Sequence, residues 1–250
     1  MKIKNILVSQ PAPADLAKSP YTKLAEKYKL EVDYRKFIKI EGIPTKDFRQ
    51  ERINLLDYSA VIFTSRQAVD HYFRIAKDMR VSIPDDMKYF CISESTAFYL
   101  QKYIQFRKRK IFHGKLVFKD LMDVIKKHRD EKYLLPCSEI HKPDIPDMLT
   151  QNKIDFDKAV IYRTLASDLS KVDIASYDML VFFSPSGVKS LFKNFPEYEQ
   201  GDTQIAIFGA TTSKIATELG LTINIQAPTK KSPSMTMAIE EFVKEQKKRR

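Results

Sequence analysis

Apolar runs of strand length alternate along the chain with segments whose apolar residues recur at helical spacing. The run Ile3–Val8 predicts a first strand, followed by a helix near Lys18–Tyr28 and an extended stretch over Glu31–Ile40. The same grammar continues: Ala60–Phe63 leads into a helix from Gln67, Tyr89–Ile92 into a helix reaching Tyr103, and Tyr133–Pro136 into a helix over Ile140–Leu149. Leu180–Phe183, Ile205–Phe208 and Thr222–Ile225 are each followed by helical pattern, the last helix running from about Ser234 to Glu245. Strands that are apolar throughout and alternate with helices predict an α/β fold, with parallel sheets covered by helices on both faces.

An internal repeat divides this pattern. Tyr58–Ser65 aligns without gaps on Tyr177–Ser184, and the match extends into the following helices. There Val69, Tyr72, Phe73 and Ala76 correspond to Val188, Leu191, Phe192 and Phe195, both at the i, i+3, i+4, i+7 spacing of one buried stripe. These are core positions. A second pair follows, Tyr89–Thr96 with Ile205–Thr212, anchored on Ile92 with Phe208; its helices match Tyr99, Leu100 and Tyr103 to Ile215, Ala216 and Leu219. Two similar domains follow from the repeat. A doubly wound sheet needs more strands than the three after the second repeat, so the N-terminal strand is expected to join the C-terminal half. The extended segments 37–41 and 157–166 then serve as a two-stranded linker. Residues 1–36 with 167–250 make one discontinuous α/β domain, around an inserted domain at 42–156.

Composition adds limits more than identity. At 250 residues, 43% of them apolar and 30% charged, the chain is an ordinary globular sequence. Its apolar runs, of which Met179–Phe183 is typical, fall far short of the roughly 20 residues of a membrane span, so no membrane association is expected. The charged N-terminus has too short an apolar stretch for a signal peptide, and a cytoplasmic location is expected. Cys91 and Cys137 sit in apolar contexts and read as core residues, and His71, His113, His128 and His141 lack metal-ligand spacing; no metal is expected.

The net charge of +11 favours a polyanionic partner. The basic runs Arg107–Lys110 and Lys247–Arg250 read first as a solvated loop and a frayed tail, and no aromatic stacking platform accompanies them, so nucleic acid is not the expected partner. In open parallel sheets ligands sit beyond the carboxyl ends of strands, where helix starts present unpaired N–H groups. The repeat puts hydroxyls there: Ser65 and Ser184, the latter followed by Pro185, then Ser95 and Thr96 in one domain and Thr211 and Thr212 in the other, beside Gly209. Each alone reads first as a helix cap. Together, on a basic chain, they describe a site for several carboxylates or phosphates. No P-loop, nucleophile elbow or dinucleotide fingerprint occurs.

The chain resembles the uroporphyrinogen-III synthase family. The resemblance rests on Ile6–Pro11, on Phe63-Thr64-Ser65 with Ala68-Val69, on Phe183-Ser184-Pro185-Ser186-Gly187-Val188, on Ile207–Thr212 with Gly220, and on Ala227-Pro228-Thr229. It implies two α/β domains joined by a two-stranded linker. The implied substrate is hydroxymethylbilane, a linear tetrapyrrole with eight carboxylates, closed without any cofactor into a ring in which the terminal pyrrole is inverted. Loss of the terminal hydroxyl leaves an azafulvene cation, attack through the substituted carbon of the terminal ring gives a spiro intermediate, and fragmentation with reclosure inverts that ring. By the same resemblance Tyr162 assists departure of the hydroxyl and Thr212 is the second catalytic residue. Ser65, Thr96, Ser184, Ser186, Gly187, Thr211 and Gln10 are the substrate-binding positions. The chain departs from the family's common residues at Gln10, at Ser93-Glu94 and at Cys137. A monomer is expected. The alternative is a non-catalytic two-lobed sensor of a polyanion.

Overall fold

The structure is a computed structural model and describes residues 3–105, 107–115, 117–140 and 143–248. His141, Arg249 and Arg250, which figure in the metal and charge expectations above, lie outside the described residues.

The chain begins with β1 (Asn5–Val8), α1 (Pro20–Tyr28) and β2 (Glu31–Tyr34), where β1 and β2 pair in parallel. The next run comprises β3 (Ile38–Gly42), α2 (Thr45–Gln50), β4 (Ala60–Phe63), α3 (Arg66–Asp78), β5 (Lys88–Cys91), α4 (Glu94–Tyr99) and β6 (Ile111–His113). It is completed by α5 (Phe118–Ile125), β7 (Tyr133–Ser138), α6 (Asp144–Gln151) and β8 (Phe156–Ala166). The return comprises β9 (Met179–Phe182), α7 (Pro185–Asn194), β10 (Gln204–Phe208), α8 (Ala210–Glu218), β11 (Ile225–Ala227) and α9 (Met235–Lys248). Contacts divide the chain into two compact units, 1–39 with 165–250, and 40–164.

The first unit holds a five-stranded sheet in the order β11-β10-β9-β1-β2, and the other sheet runs β3-β8-β7-β4-β5-β6. All pairings within the first sheet are parallel, as are those from β8 through β6 in the second. β3 runs against β8, since the amide of Ile43 donates to Ile161 O and that of Ser167 to Phe37 O. Superposing the repeat, β4 on β9 and β5 on β10, puts β6 on β11, β7 on β1 and β8 on β2. The units thus share one strand order, with the chain entering it at a different strand.

The inner strands of each sheet are buried on both faces, which is why β4, β7 and β9 read as apolar runs, whereas the edge strands β2 and β3 carry exposed polar residues. In the first unit Ile6, Val8, Met179 and Val181 pack under α1 and α9, while Leu7, Leu180, Phe182, Ile205 and Ile207 pack under α7 and α8. In the second, Val61, Phe63, Tyr89 and Cys91 meet α3 and α4; Ile62, Phe90, Tyr133 and Leu135 meet α5.

Several expectations are corrected here. The stretch Glu31–Ile40 is not one extended element: Asp33 and Tyr34 pair with Leu7 and Val8 in the first sheet, and a new strand starts at Ile38. β8 is more than a linker, because Phe156 to Val160 run alongside Tyr133 to Cys137 as an integral strand. The segment after Arg107–Lys110 enters the sheet as β6, and the stripe Phe118, Leu121, Met122, Ile125 makes α5, two elements the strand-and-helix reading passes over.

Candidate active site

In both sheets the helix starts gather at the carboxyl ends of parallel strands. β4 and β9 end in matching devices: Ser65 and Ser184 have extended backbones, and each Oγ accepts the amide three residues on, that of Ala68 and that of Gly187, both at 3.1 Å. Pro185 sits at the first helical position, where a missing N–H costs nothing. After β5 the cap is Ser93, not Ser95: its Oγ accepts from the amide of Thr96 at 3.4 Å and lies 3.1 Å from both the Ser95 and Thr96 hydroxyls. Thr96 is therefore buried within a cluster of hydroxyls at its own helix start.

β10 ends differently. Gly209, with φ of 88°, caps α8 without any side chain, so the first-turn amides of that helix are left to another acceptor. A side chain at Gly209 would be strained by that backbone angle. Thr212 is buried in this first turn and Thr211 is exposed beside it. On the neighbouring strands stand Ser184, Ser186 and Gly187 after β9, and Ser9 and Gln10 after β1. Gln10 is exposed, whereas Ser9 is buried and faces the start of α7, its Oγ 3.6 Å from where a Cβ on Gly187 would lie. Thr211, Thr212, Ser184, Ser186, Gly187 and Gln10 thus share the carboxyl edge of three adjacent strands.

In the second unit the structure brings Ser65 and Tyr162 together, their hydroxyls 3.3 Å apart. A break in strand register aims the tyrosine. Cys137 pairs with Val160 but Ser138 with Tyr162, so Ile161 is an extra residue in β8. Consecutive residues of a regular strand point to opposite faces, yet Ile161 and Tyr162 are buried in the same core, the signature of a bulge. The Tyr162 ring stacks on His71 of α3, centroids 5.4 Å apart at 19°. Burial raises the phenol's pKa against the opposing hydrogen bond of Ser65, and the side chain is a neutral hydroxyl at neutral pH. The two expected catalytic residues, Tyr162 and Thr212, belong to different units.

Neither thiol is a nucleophile at neutral pH, since burial pushes Cys91 up to about 12 and Cys137 to about 11. Among the described residues no group of three or more His, Cys, Asp and Glu is placed to hold a metal ion. No helix among them is long and apolar enough to cross a membrane. Sequence reasoning passed over Ser9, Ser93 and His71; the first two adjoin the strand ends it did use, whereas His71 carries no signal in its spacing.

In both α/β units parallel strands end at helix starts whose first turns are capped by hydroxyls, and in the first unit α8 starts at Gly209 with no side-chain cap. The model of the uroporphyrinogen-III synthase HemD family matches residues 19–237, and the chain belongs to that family. Membership makes it an enzyme of tetrapyrrole biosynthesis, a cyclising hydro-lyase, and does not favour the sensor alternative. Among solved structures it is similar to the uroporphyrinogen-III synthetase of Helicobacter pylori, with 19% identity, 97% of this chain and 99% of that one covered, and a TM-score of 0.62. A mutant uroporphyrinogen III synthase of Thermus thermophilus follows with 14% identity, 98% and 99% coverage, and a TM-score of 0.55. At these identities the likeness shows the fold. Sequence comparison with curated proteins finds no match.

Proposed function

We propose that the chain, a cytoplasmic monomer, cyclises hydroxymethylbilane to uroporphyrinogen III using the residues expected from its sequence. The observation that carries the reading is the family match over residues 19–237. Tyr162 is the group that assists loss of the hydroxyl: as a neutral phenol it gives its proton to the departing oxygen, which leaves as water, so that the azafulvene cation and the phenolate form together, and the proton released from the pyrrole carbon on ring closure restores the phenol. Thr212, with the open amides of α8, takes part at the other unit's sheet edge. The hydroxyls of Ser65, Thr96, Ser184, Ser186 and Thr211, the backbone at Gly187, and Gln10 bind the substrate's carboxylates. A net charge of +11 supports a partner with eight negative groups. Closure without ring inversion occurs spontaneously, so the protein's contribution is to hold the chain where attack through the substituted carbon wins, by positioning and by stabilising the cation.

The test is to mix the purified protein with freshly made hydroxymethylbilane, oxidise the products and separate type I from type III uroporphyrin. A dominant type III fraction is expected. Type I alone, as in a protein-free control, would overturn the proposal. Tyr162→Phe is then expected to lower kcat by about 10- to 100-fold, with KM little changed.

A further inference from the structure

Tyr162 is held by more than its bulge. His71, one and a half turns along α3 from the Ser65 cap, lays its ring against the phenol ring, and its Nδ1 accepts a hydrogen bond from Arg74 Nε at 3.3 Å. The rest of the Arg74 fork is committed. Nη1 pairs with Asp78 at 3.2 Å, and Nη2 donates to Ile43 O at 2.8 Å and Ile161 O at 3.4 Å, the carbonyls that follow β3 and precede Tyr162. Space for the guanidinium comes from Gly42, where a Cβ would fall 2.7 to 2.8 Å from Arg74 side-chain atoms. One arginine thus ties the bulged strand, its antiparallel neighbour and the histidine into a single unit, while Ser65 fixes the far end of the phenol.

We infer that His71 and Arg74 are positioning residues for Tyr162, the arginine fixing the imidazole's tautomer and orientation and the imidazole fixing the plane of the phenol. The inference rests on the reading of Tyr162 as the residue that assists departure of the hydroxyl. Accepting at Nδ1 places the imidazole's proton on Nε2, so His71 is a neutral ring with one defined orientation. A small misplacement of a reacting group costs as much as a hundredfold in rate. Lysine in place of Arg74 has no fork to hold a ring nitrogen and two carbonyls at once.

The test compares kcat and KM of His71→Ala, His71→Phe and Arg74→Lys with Tyr162→Phe and the unaltered enzyme. His71→Ala is expected to lower kcat about 10- to 100-fold with KM within about twofold, and His71→Phe, which keeps a ring against the phenol, to regain most of that loss. Independently of turnover, 15N spectra of the histidine-labelled protein should show His71 with an unprotonated Nδ1, and Arg74→Lys should disturb that state. Wild-type kcat in His71→Ala beside a slow Tyr162→Phe would sink the positioning role alone. Full turnover in Tyr162→Phe would instead remove the role assigned to Tyr162. A protonated Nδ1 in the unaltered protein, or no recovery in His71→Phe, would also count against the inference.

Discussion

At Ser184 two demands meet in one oxygen: its Oγ closes the first turn of α7 by accepting from Gly187 N, and its position after β9 puts it among the proposed carboxylate contacts. Removing it costs both. Ser184→Ala is expected to lower stability by about 1 kcal/mol, read as a shift in the denaturation midpoint, together with weaker substrate binding. Gly187 separates the two effects. A Cβ there would lie 3.4 Å from Ser184 Oγ and 3.6 Å from Ser9 Oγ, ordinary contact distances. Helix propensity then favours Gly187→Ala by up to about 1 kcal/mol. The variant should melt slightly higher while its KM rises, because the new methyl group sits where the proposed substrate contact lies. A higher melting temperature with unchanged KM would take Gly187 out of the binding set. The caps at Ser65 and Ser184 were legible because an apolar run ending in Ser ahead of a helical stripe has one common structural meaning. The cap at Ser93 was not singled out because three hydroxyls stand within four residues, and only backbone conformation selects which of them turns in.

Between elements, α1 and α9 meet through a charged cluster at the edge of the first unit's core. Glu240 of α9 accepts from Lys27 at 2.7 Å and from Tyr28 at 3.0 Å, both on α1, and Lys244 lies 3.0 Å away. Hydrogen bonds from Lys27, then Lys244 and Tyr28, hold its carboxyl down to about 2. A carboxylate whose pKa is depressed by folding stabilises the fold above its unfolded value and loses that contribution as protons bind to the native state. The melting temperature is therefore expected to decline as pH falls from the ordinary carboxylate range toward 2, and Glu240→Gln should flatten part of that decline. The effect is modest, since Lys27 is largely exposed and solvent screens the pair. Identical pH profiles for the two proteins would show that the cluster does not couple the helices. Strands and long amphipathic helices were readable from periodicity alone, but β6 was not. It holds three residues directly after a basic run and becomes a strand only by pairing with Tyr89 to Cys91.

For the whole molecule, the chain's path sets which part folds by itself. Residues 40–164 contain β4, β5, β6 and β7 whole, most of β3 and β8, and apolar clusters on both faces of that sheet, whereas β1 and β2 find their neighbour β9 only after the inserted segment has been traversed. A fragment spanning 40–164 is expected to melt cooperatively by circular dichroism, and 1–39 alone to remain unfolded; a fragment 40–164 without cooperative melting would show that the inserted unit depends on the rest of the chain. The sequence by itself determined the α/β class, the repeat and the hydroxyls at the strand ends, because each follows from local periodicity or from matching short runs. Tertiary structure alone decided where β2 ends and β3 begins, which serine caps α4, and the bulge that turns Tyr162 onto the same face as Ile161. It also decided the alignment of His71 and Arg74 behind that tyrosine. These depend on pairing register and on contacts between residues far apart in the chain, 91 positions for His71 and Tyr162 and 118 for Ile43 and Ile161, and no pattern within a single stretch of chain encodes which distant partner a strand or ring will meet.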